Sequence, residues 1–409
     1  LIYALAFNES PVWGLRHKVV LKLMLIANKL KFVNFIIFII GLQQVLTLYL
    51  STAKHKKDKG SCSDQYKYIF AGFGAASEED LFQSYQKNNQ PRVLRINWVT
   101  QAGLLKLGNI KFSNVLMMLI KNSWGLSQKY NDAIQEIKTH KQEFFTVAAL
   151  NIGAYSFYQS YWTLAKNKNI QEVAFVAPSI AAHAAIDRQL KTRFLQHGLL
   201  AQSILFPKFD TVEMLTSSES AYMKKIHPNI EVIDQSERVV RCNELQPVVI
   251  ILSPDTFNQS IGENVEPMID FYKWAKMSGL CVVIRLNPKG SAEKQFALKS
   301  YFPDAILDDS TVSLNMSYEK WKPKMVFSWR STGLAIALQY GFLPVSCFTR
   351  TDKKRPLGRA IYPLADCVLF WPEEKALMQN AIGDSAMYNT TILRLQQPLA
   401  ILPETAESP

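Results

Sequence analysis

The chain has few of the residues that would mark a metal centre or a disulfide scaffold. Its five cysteines are scattered among 409 residues, and no C-x-x-C pair or Cys/His cluster with zinc spacing is present. Internal repeats and long tracts rich in Gly, Ser or Pro are also missing, which argues against a repeat protein or a disordered chain. We therefore expect compact domains in a reducing compartment, without a structural metal.

Positive charge is concentrated at one end of the sequence. The formal net charge is +12, and residues 1–60 hold nine Lys or Arg residues against two acidic ones. This excess lies beside apolar sequence, a pattern that favours an anionic membrane surface over a nucleic acid as the partner.

Residues 1–59 are predicted to form a membrane-associated basic and apolar helical segment. A helix over 15–31 would place Lys18, Lys22 and Lys29 in one narrow sector, where they could meet lipid phosphates. Residues 32–53 contain no charge and are long enough to span a bilayer, but polar residues interrupt them. A monotopic or re-entrant segment and a buried helix of the first domain are therefore both retained. The basic run over 54–59 predicts a cytoplasmic location for the rest of the chain.

After residue 60, short apolar runs alternate with amphipathic stretches, as in βαβ units. The first series predicts strands over 67–74, 91–99, 172–178, 210–217 and 229–234, and helices over 77–87, 126–146, 181–196 and 218–226. After a polar linker, the second predicts strands over 247–254, 280–288, 304–309, 324–329, 342–347 and 366–371, and helices over 263–278, 291–301 and 332–341. This alternation predicts an α/β fold of two Rossmann-like, doubly wound lobes, over 60–240 and 241–409.

The best-defined motif lies in the second series, over residues 322–347. It predicts a buried strand ending near Ser328, a polar turn, and a helix that opens at Ser331, Thr332 and Gly333. Backbone N–H groups and hydroxyls at a helix N-terminus form an anion site suited to a phosphate or diphosphate. The alternative is that Ser331 and Thr332 merely cap the helix.

Two segments of the second series carry a resemblance to a known family. SWRSTGLAIALQYGFLPV (328–345) resembles the nucleotide-sugar segment of bacterial glycosyltransferases of the GT-B type. VVIRLNPKG (282–290) is similar to the R-x-H-P or K-x-H-P element of capsule and lipopolysaccharide transferases that are sialyl- or Kdo-transferase-like. The resemblance implies that Arg285, Lys289 and Ser328 or Ser331 bind the donor. Asn287 replaces the family's histidine, and asparagine can donate a hydrogen bond but carries no charge.

The first series supplies two candidate catalytic residues. TRFLQHGLL (192–200) resembles the Q-H-G element of surface-polysaccharide transferases, which implies that His197 acts as a general base or binds the donor phosphate. Glu79 lies in an acidic first turn after a glycine turn and is a second candidate base; pairing of acids with the helix dipole is the alternative. No D-x-D run is present, so metal dependence is not indicated.

These resemblances imply a glycosyltransferase that moves a sugar from a nucleotide-activated donor to a lipid-linked or growing surface glycan. A CMP-linked acidic sugar is slightly favoured as the donor, and no cofactor is expected. The expected location is the cytoplasmic face of the bacterial inner membrane. Two alternatives remain, a CDP-polyol phosphotransferase of the teichoic-acid type and a catalytically inactive GT-B assembly subunit.

Overall fold

A computed structural model describes twelve stretches of the chain, which are residues 33–54, 66–74, 78–89, 92–136, 140–196, 206–236, 244–252, 265–286, 301–309, 311–328, 331–347 and 367–397. Contacts divide the chain into two compact units, Leu1–Leu195 with Ile204–Val212 and Gln196–Ser203 with Glu213–Pro409. Most of a first β-sheet lies in the first unit, and the whole of a second lies in the second unit.

The first sheet has six strands in the order β2-β1-β3-β4-β5-β6. Its strands are β1 (Tyr68–Gly72), β2 (Val93–Asn97), β3 (Glu172–Phe175), β4 (Thr192–Leu195), β5 (Thr211–Met214) and β6 (Glu231–Asp234). β1 pairs in parallel with both β2 and β3, and β3 pairs in parallel with β4. The central strands are almost entirely buried, as expected for a parallel sheet covered on both faces.

The second sheet also has six strands, in the order β12-β11-β10-β7-β8-β9. Its strands are β7 (Gln246–Leu252), β8 (Cys281–Arg285), β9 (Ile306–Asp308), β10 (Pro323–Ser328), β11 (Leu343–Ser346) and β12 (Leu369–Phe370). All five strand pairs are parallel. Successive strands are added first on one side of β7 and then on the other, so the topological switch point lies between β7 and β10.

Eleven helices occur in the described stretches. They are α1 (Val33–Lys54), α2 (Glu78–Asn88), α3 (Phe112–Glu136), α4 (His140–Asn167), α5 (Ile180–Asp187), α6 (Ser217–Ile226), α7 (Glu266–Met277), α8 (Leu314–Trp321), α9 (Thr332–Gln339), α10 (Lys375–Gly383) and α11 (Ser385–Gln396). In the second unit, α7 packs on the sheet through Phe271, whose ring stacks on Phe327 of β10 with centroids 4.0 Å apart. Aromatic and β-branched side chains from both layers make one continuous core there.

The predicted fold class is confirmed by these two six-stranded parallel sheets, their helices and the N-terminal apolar helix. The predicted strands of both series are present, most of them with shorter bounds. The predicted domain boundary at 240/241 lies outside the described residues and stays a prediction. The predicted helix over 15–31 also lies outside them, and of the helix predicted over 291–301 only Tyr301 is described, as a helical residue.

Two helix predictions were wrong in their bounds. The helix predicted over 181–196 ends at Asp187, and its last third is strand β4. Gln189 has a φ of 56°, which stops the helix, and β4 then pairs with β3. The helix predicted over 126–146 is instead part of two long helices, α3 and α4, since apolar residues continue at helical spacing on both sides.

The uncharged segment predicted over 32–53 is helix α1, and it packs against α3 and α4 of the first unit. The crossing is close, because a Cβ atom added to Gly153 of α4 would lie 2.2 Å from the backbone oxygen of Gly41. The Gln44 side chain also accepts a hydrogen bond of 2.9 Å from the Gly153 N–H. Of the described helices, α1 alone is long and apolar enough to cross a membrane, and 22% of its most apolar window is buried.

We expect Gly153→Ala to loosen this helix crossing and lower the free energy of unfolding by about 1–3 kcal/mol, the usual cost of overpacking. Gly125 is a matched control, because it also lies within a helix but no atom lies within 4 Å of its added Cβ. Gly125→Ala should stabilise the protein by up to about 1 kcal/mol through helix propensity. Urea unfolding of both variants measures the difference; equal effects would contradict the close crossing.

Candidate functional site

The carboxyl edge of the second sheet brings two strand ends together at its switch point. β7 ends at Leu252 and β10 ends at Ser328, and the two strands pair directly. The buried Ser328 hydroxyl donates a 3.2 Å hydrogen bond to the Leu252 carbonyl oxygen. In open α/β sheets, ligands bind outside the carboxyl ends of strands at this position. Ser328 therefore ties the two strand ends at the place where a ligand is expected.

Helix α9 begins directly at this switch point. Ser331 is its N-cap, and the Ser331 hydroxyl accepts a 3.1 Å hydrogen bond from the Gly333 N–H. The capping role that we kept as the alternative is therefore present. It leaves open the phosphate-binding role, because further N–H groups and the dipole of the helix also lie at this end. Thr332 is the first residue of the helix.

Gly333 seats the first turn of α9 against β7 and α8. A Cβ atom at Gly333 would lie 2.4 Å from Leu252 Cδ1 and 3.2 Å from the Tyr318 hydroxyl oxygen. That hydroxyl belongs to a fully buried side chain and donates a 2.8 Å hydrogen bond to the Gly333 carbonyl oxygen. Any larger residue at this position would require the Leu252 side chain to shift, so Gly333 allows the N-terminus of α9 to begin close to β7.

Arg285, at the carboxyl end of β8, is a buried partner in an ion pair. Its Nη1 atom donates to Asp308 Oδ2 at 2.8 Å, to Ser317 Oγ at 2.6 Å and to the Asp309 carbonyl oxygen at 2.7 Å. Its Nη2 atom donates to the carbonyl oxygen of Val312. The side chain is 5% exposed. The guanidinium thus joins β8, β9 and the start of α8, which supports α9 through Tyr318.

Asp308, the acidic partner of Arg285, is kept ionised by further hydrogen bonds. Trp321 Nε1 donates to Asp308 Oδ1 at 2.8 Å, and Ser317 Oγ donates to Asp308 Oδ2 at 2.5 Å. Burial acts to raise the pKa of Asp308, but the hydrogen bonds from Ser317, Trp321 and Arg285 outweigh it and lower the pKa overall. Asp308 is therefore an anion at neutral pH, and its lone pairs are occupied by protein donors.

The remaining candidates of the second unit lie outside the described residues. Asn287 and Lys289 follow β8 by two and four residues, in a segment that the structure does not describe. Their predicted contacts with the donor stay predictions, as does that of Arg285. Since the Arg285 guanidinium donates to Asp308 and to two backbone carbonyls, replacing Arg285 is expected to disturb the fold whether or not it also binds the donor.

In the first unit, Glu79 is an exposed residue in a surface ion pair. Its carboxylate accepts hydrogen bonds from Arg95 Nη1 at 2.5 Å and from Gln83 Nε2 at 2.7 Å. Hydrogen bonds from Gln83 and Arg95 lower the pKa of Glu79, which weakens it as a base. His197, the other predicted catalytic residue, lies outside the described residues.

Glu78, which sequence reasoning did not single out, is the carboxylate that lies at the carboxyl end of β1. It is 1% exposed, and its two oxygens accept the N–H groups of Phe73 at 2.9 Å and of Gly74 at 3.0 Å. The glycine turn after β1 could have indicated this role in the sequence, because the backbone N–H groups of a buried turn need a hydrogen-bond acceptor nearby. Glu78 therefore holds the turn through which β1 leaves the sheet. Within the described ranges, no three His, Cys, Asp or Glu residues cluster as metal ligands would.

The buried pair Arg285–Asp308 and the exposed pair Arg95–Glu79 allow a matched test. We expect Arg285→Ala to lower the free energy of unfolding by about 3–5 kcal/mol, because Asp308 is left charged and buried. Arg95→Ala should cost less than about 1 kcal/mol, since its pair is solvated. Urea unfolding at neutral pH measures both, and similar small losses would mean that Arg285 is not structural.

The pH dependence gives a second readout for the same variants. The lowered pKa of Asp308 contributes stability above about pH 4, the pKa of an unfolded Asp, and this contribution is lost as the pH falls through the folded-state value. The gap between wild type and Arg285→Ala should therefore narrow on acidification. A gap that is constant down to pH 2–3 (about one to two units below that reference) would contradict the role of the pair.

Comparison with known proteins identifies no family. No protein-family model matches the chain, and no curated protein matches it. Among solved structures, the chain is similar to the S. aureus MnaA–UDP co-structure, with 10% identity and a TM-score of 0.45 over 81% of this chain and 92% of that chain. It is also similar to spinosyn rhamnosyltransferase SpnG complexed with thymidine diphosphate, with 12% identity and a TM-score of 0.42 over 80% of this chain and 91% of that chain. A third similar structure is a UDP-GlcNAc 2-epimerase from Neisseria meningitidis bound to UDP-GlcNAc, with 12% identity and a TM-score of 0.41 over 80% of this chain and 94% of that chain. At these values the similarities do not identify an activity.

Proposed function

We propose that the protein is a glycosyltransferase that uses a nucleotide-activated sugar and extends a lipid-linked or growing surface glycan. The observation that carries the proposal is the N-terminus of α9 at the β7/β10 switch point, held there by the close contact of Gly333 with Leu252. A helix N-terminus placed at the switch point of a Rossmann-type sheet is suited to the phosphate of a nucleotide.

In this proposal, the donor phosphate lies against the first turn of α9, and Thr332 and Lys289 contact it. Lys289 and Asn287 follow β8, whose carboxyl end is next to that of β7. Lysine supplies a positive charge, and asparagine supplies a neutral hydrogen bond to the phosphate or base. Arg285 takes a supporting role here, because its donors hold β9 and α8 beneath α9.

The donor class in the proposal is a CMP-linked acidic sugar, as the resemblance of residues 282–290 and 328–345 implies. The acceptor hydroxyl would be deprotonated by His197, whose ordinary pKa is near neutral. Glu79 is the weaker choice because Arg95 and Gln83 already occupy its carboxylate. The proposed location is the cytoplasmic face of the bacterial inner membrane, where a lipid-linked acceptor would be found.

Nucleotide binding tests the proposal directly. A ligand that binds only the folded state stabilises it by RT ln(1 + [L]/Kd), which is about 2.7 kcal/mol at a hundred times Kd. We expect CMP to raise the thermal unfolding midpoint more than CDP, UDP or GDP does. Lys289→Ala should reduce that rise, whereas Lys276→Ala, an exposed lysine of α7, should leave it unchanged. A rise with another nucleotide would redirect the donor class, and none with any would overturn the proposal.

The role of His197 can be separated from donor binding. We expect His197→Ala to lower turnover at least about 100-fold, the scale of a lost general base. If His197 is the base, nucleotide affinity should be unchanged in this variant. His197→Gln can still donate a hydrogen bond but takes up no proton near neutral pH, so substantial activity in it would indicate a phosphate contact instead. Full activity in both variants would exclude His197 from the site.

A further inference from the structure

Two neighbouring helices of the first unit expose large apolar side chains to solvent. On α1 these are Phe35, Ile39, Leu46 and Leu50, and on α3 they are Met117, Ile120 and Trp124; together they are called the apolar surface below. Leu50 is 69% exposed, Met117 64% and Trp124 59%. Exposed apolar patches of this kind mark interaction sites, because leaving them in water is unfavourable.

Helical geometry gathers these residues into one strip on each helix. At 100° per residue, Ile39, Leu46 and Leu50 lie within one narrow sector of α1. The residues of α1 that contact α4, Gly41 and Gln44, lie on the opposite side of the helix. On α3, Met117 and Trp124 share one side, while the buried Asn122 turns toward α4 and donates a hydrogen bond to Ser156. Each strip therefore faces away from α4.

The charges along α1, and along α3 as far as residue 131, are of one sign; Asp132 and Glu136 lie near the end of α3. Residues 33–54 and 92–131 contain no Asp or Glu. Lys54 at the end of α1, and Lys111 and Lys121 at the start and in the middle of α3, are all exposed. Lysines that flank an apolar strip are suited to anionic lipid phosphates, with the apolar side chains inserted between the headgroups. An exposed tryptophan such as Trp124 is typical of the boundary between lipid and water.

The packing of α1 argues against the simplest alternative, a free transmembrane anchor. Gly41 contacts Gly153 and Leu119, so that α1 is pressed into the groove between α3 and α4. α4 is itself tied to the rest of the unit, because Trp162 donates a hydrogen bond of 2.8 Å to Ala181 and packs on Phe175 of β3. A helix packed in this way can lie on a bilayer with its outer strip against the lipid while its inner side stays in contact with α3 and α4.

We propose that the apolar surface of α1 and α3 docks in the plane of an anionic lipid bilayer. The surface extends beyond the segment over 1–59 that the sequence suggested, since three of its seven residues belong to α3. The proposal does not depend on the proposed sugar transfer, and it can fail or hold independently of it.

Co-sedimentation of the full chain with lipid vesicles tests this docking. Ile120→Gln/Trp124→Gln should weaken binding to vesicles of phosphatidylcholine with phosphatidylglycerol about tenfold or more, because two apolar side chains no longer enter the lipid. Both positions lie outside residues 1–59, so that segment cannot account for the loss. Met277→Gln/Leu393→Gln is the control, since both are large apolar residues that are exposed in the second unit. It should bind as wild type does.

The charge contribution is tested by Lys111→Glu/Lys121→Glu on the same vesicles. We expect about a tenfold weaker binding to the anionic vesicles and no binding gain on phosphatidylcholine alone. Thermal unfolding midpoints equal to that of the control would show that the variants are folded. Unchanged vesicle binding of Ile120→Gln/Trp124→Gln would overturn the proposal. It would also be overturned if the wild-type protein did not bind the vesicles but formed a concentration-dependent dimer that Ile120→Gln/Trp124→Gln abolishes. A second copy of the chain would then cover the surface.

Discussion

The parallel pairing of β7 with β10 is the constraint on which the second unit depends. Because these strands pair, their carboxyl ends open side by side, and the chain after β10 must turn into α9 at that point. Gly333 then allows the first turn of α9 to lie close to Leu252 without displacing the Leu252 side chain. The pairing of β7 with β10 therefore places the two strand ends and the first turn of α9, which together form the candidate site.

The buried Arg285–Asp308 pair shows how that site is supported from below. A buried ion pair seldom adds net stability over apolar packing, but breaking it leaves an unpaired charge. Here the same guanidinium also satisfies the carbonyl groups of Asp309 and Val312, which follow β9. The pair therefore fixes the path from β9 to α8, and Tyr318 of α8 reaches Gly333. Arg285, which the sequence motif predicts as a donor-binding residue, therefore connects β8 to β9 and α8 next to the site.

The first unit differs from the second because three long helices, α1, α3 and α4, make up much of it. α1, α3 and α4 pack through small residues and buried amides such as Gly41, Gly153 and Asn122. Small residues give close backbone contact where the helices cross, and a separate set of large apolar side chains of α1 and α3 lies on the outer side. Other large apolar residues, such as Ile37 of α1 and Leu119 of α3, are buried between the helices as in an ordinary soluble protein, so the exposed ones form a second apolar face. That second face is the reason for proposing that a lipid surface covers it.

The sequence by itself determined the α/β class, the two successive series, nearly all strands and the apolar helix over 33–54. These follow from local periodicity, which reports whether a short segment can bury one face or both. The tertiary structure decided what periodicity does not contain. It made residues 192–195 a strand, because β3 offers a hydrogen-bonding edge to them. It made Glu78 the buried carboxylate and Glu79 the exposed one, because only Glu78 reaches the N–H groups after β1. It also buried Arg285 against Asp308, 23 residues away, since adjacent parallel strands end at the same edge of a sheet.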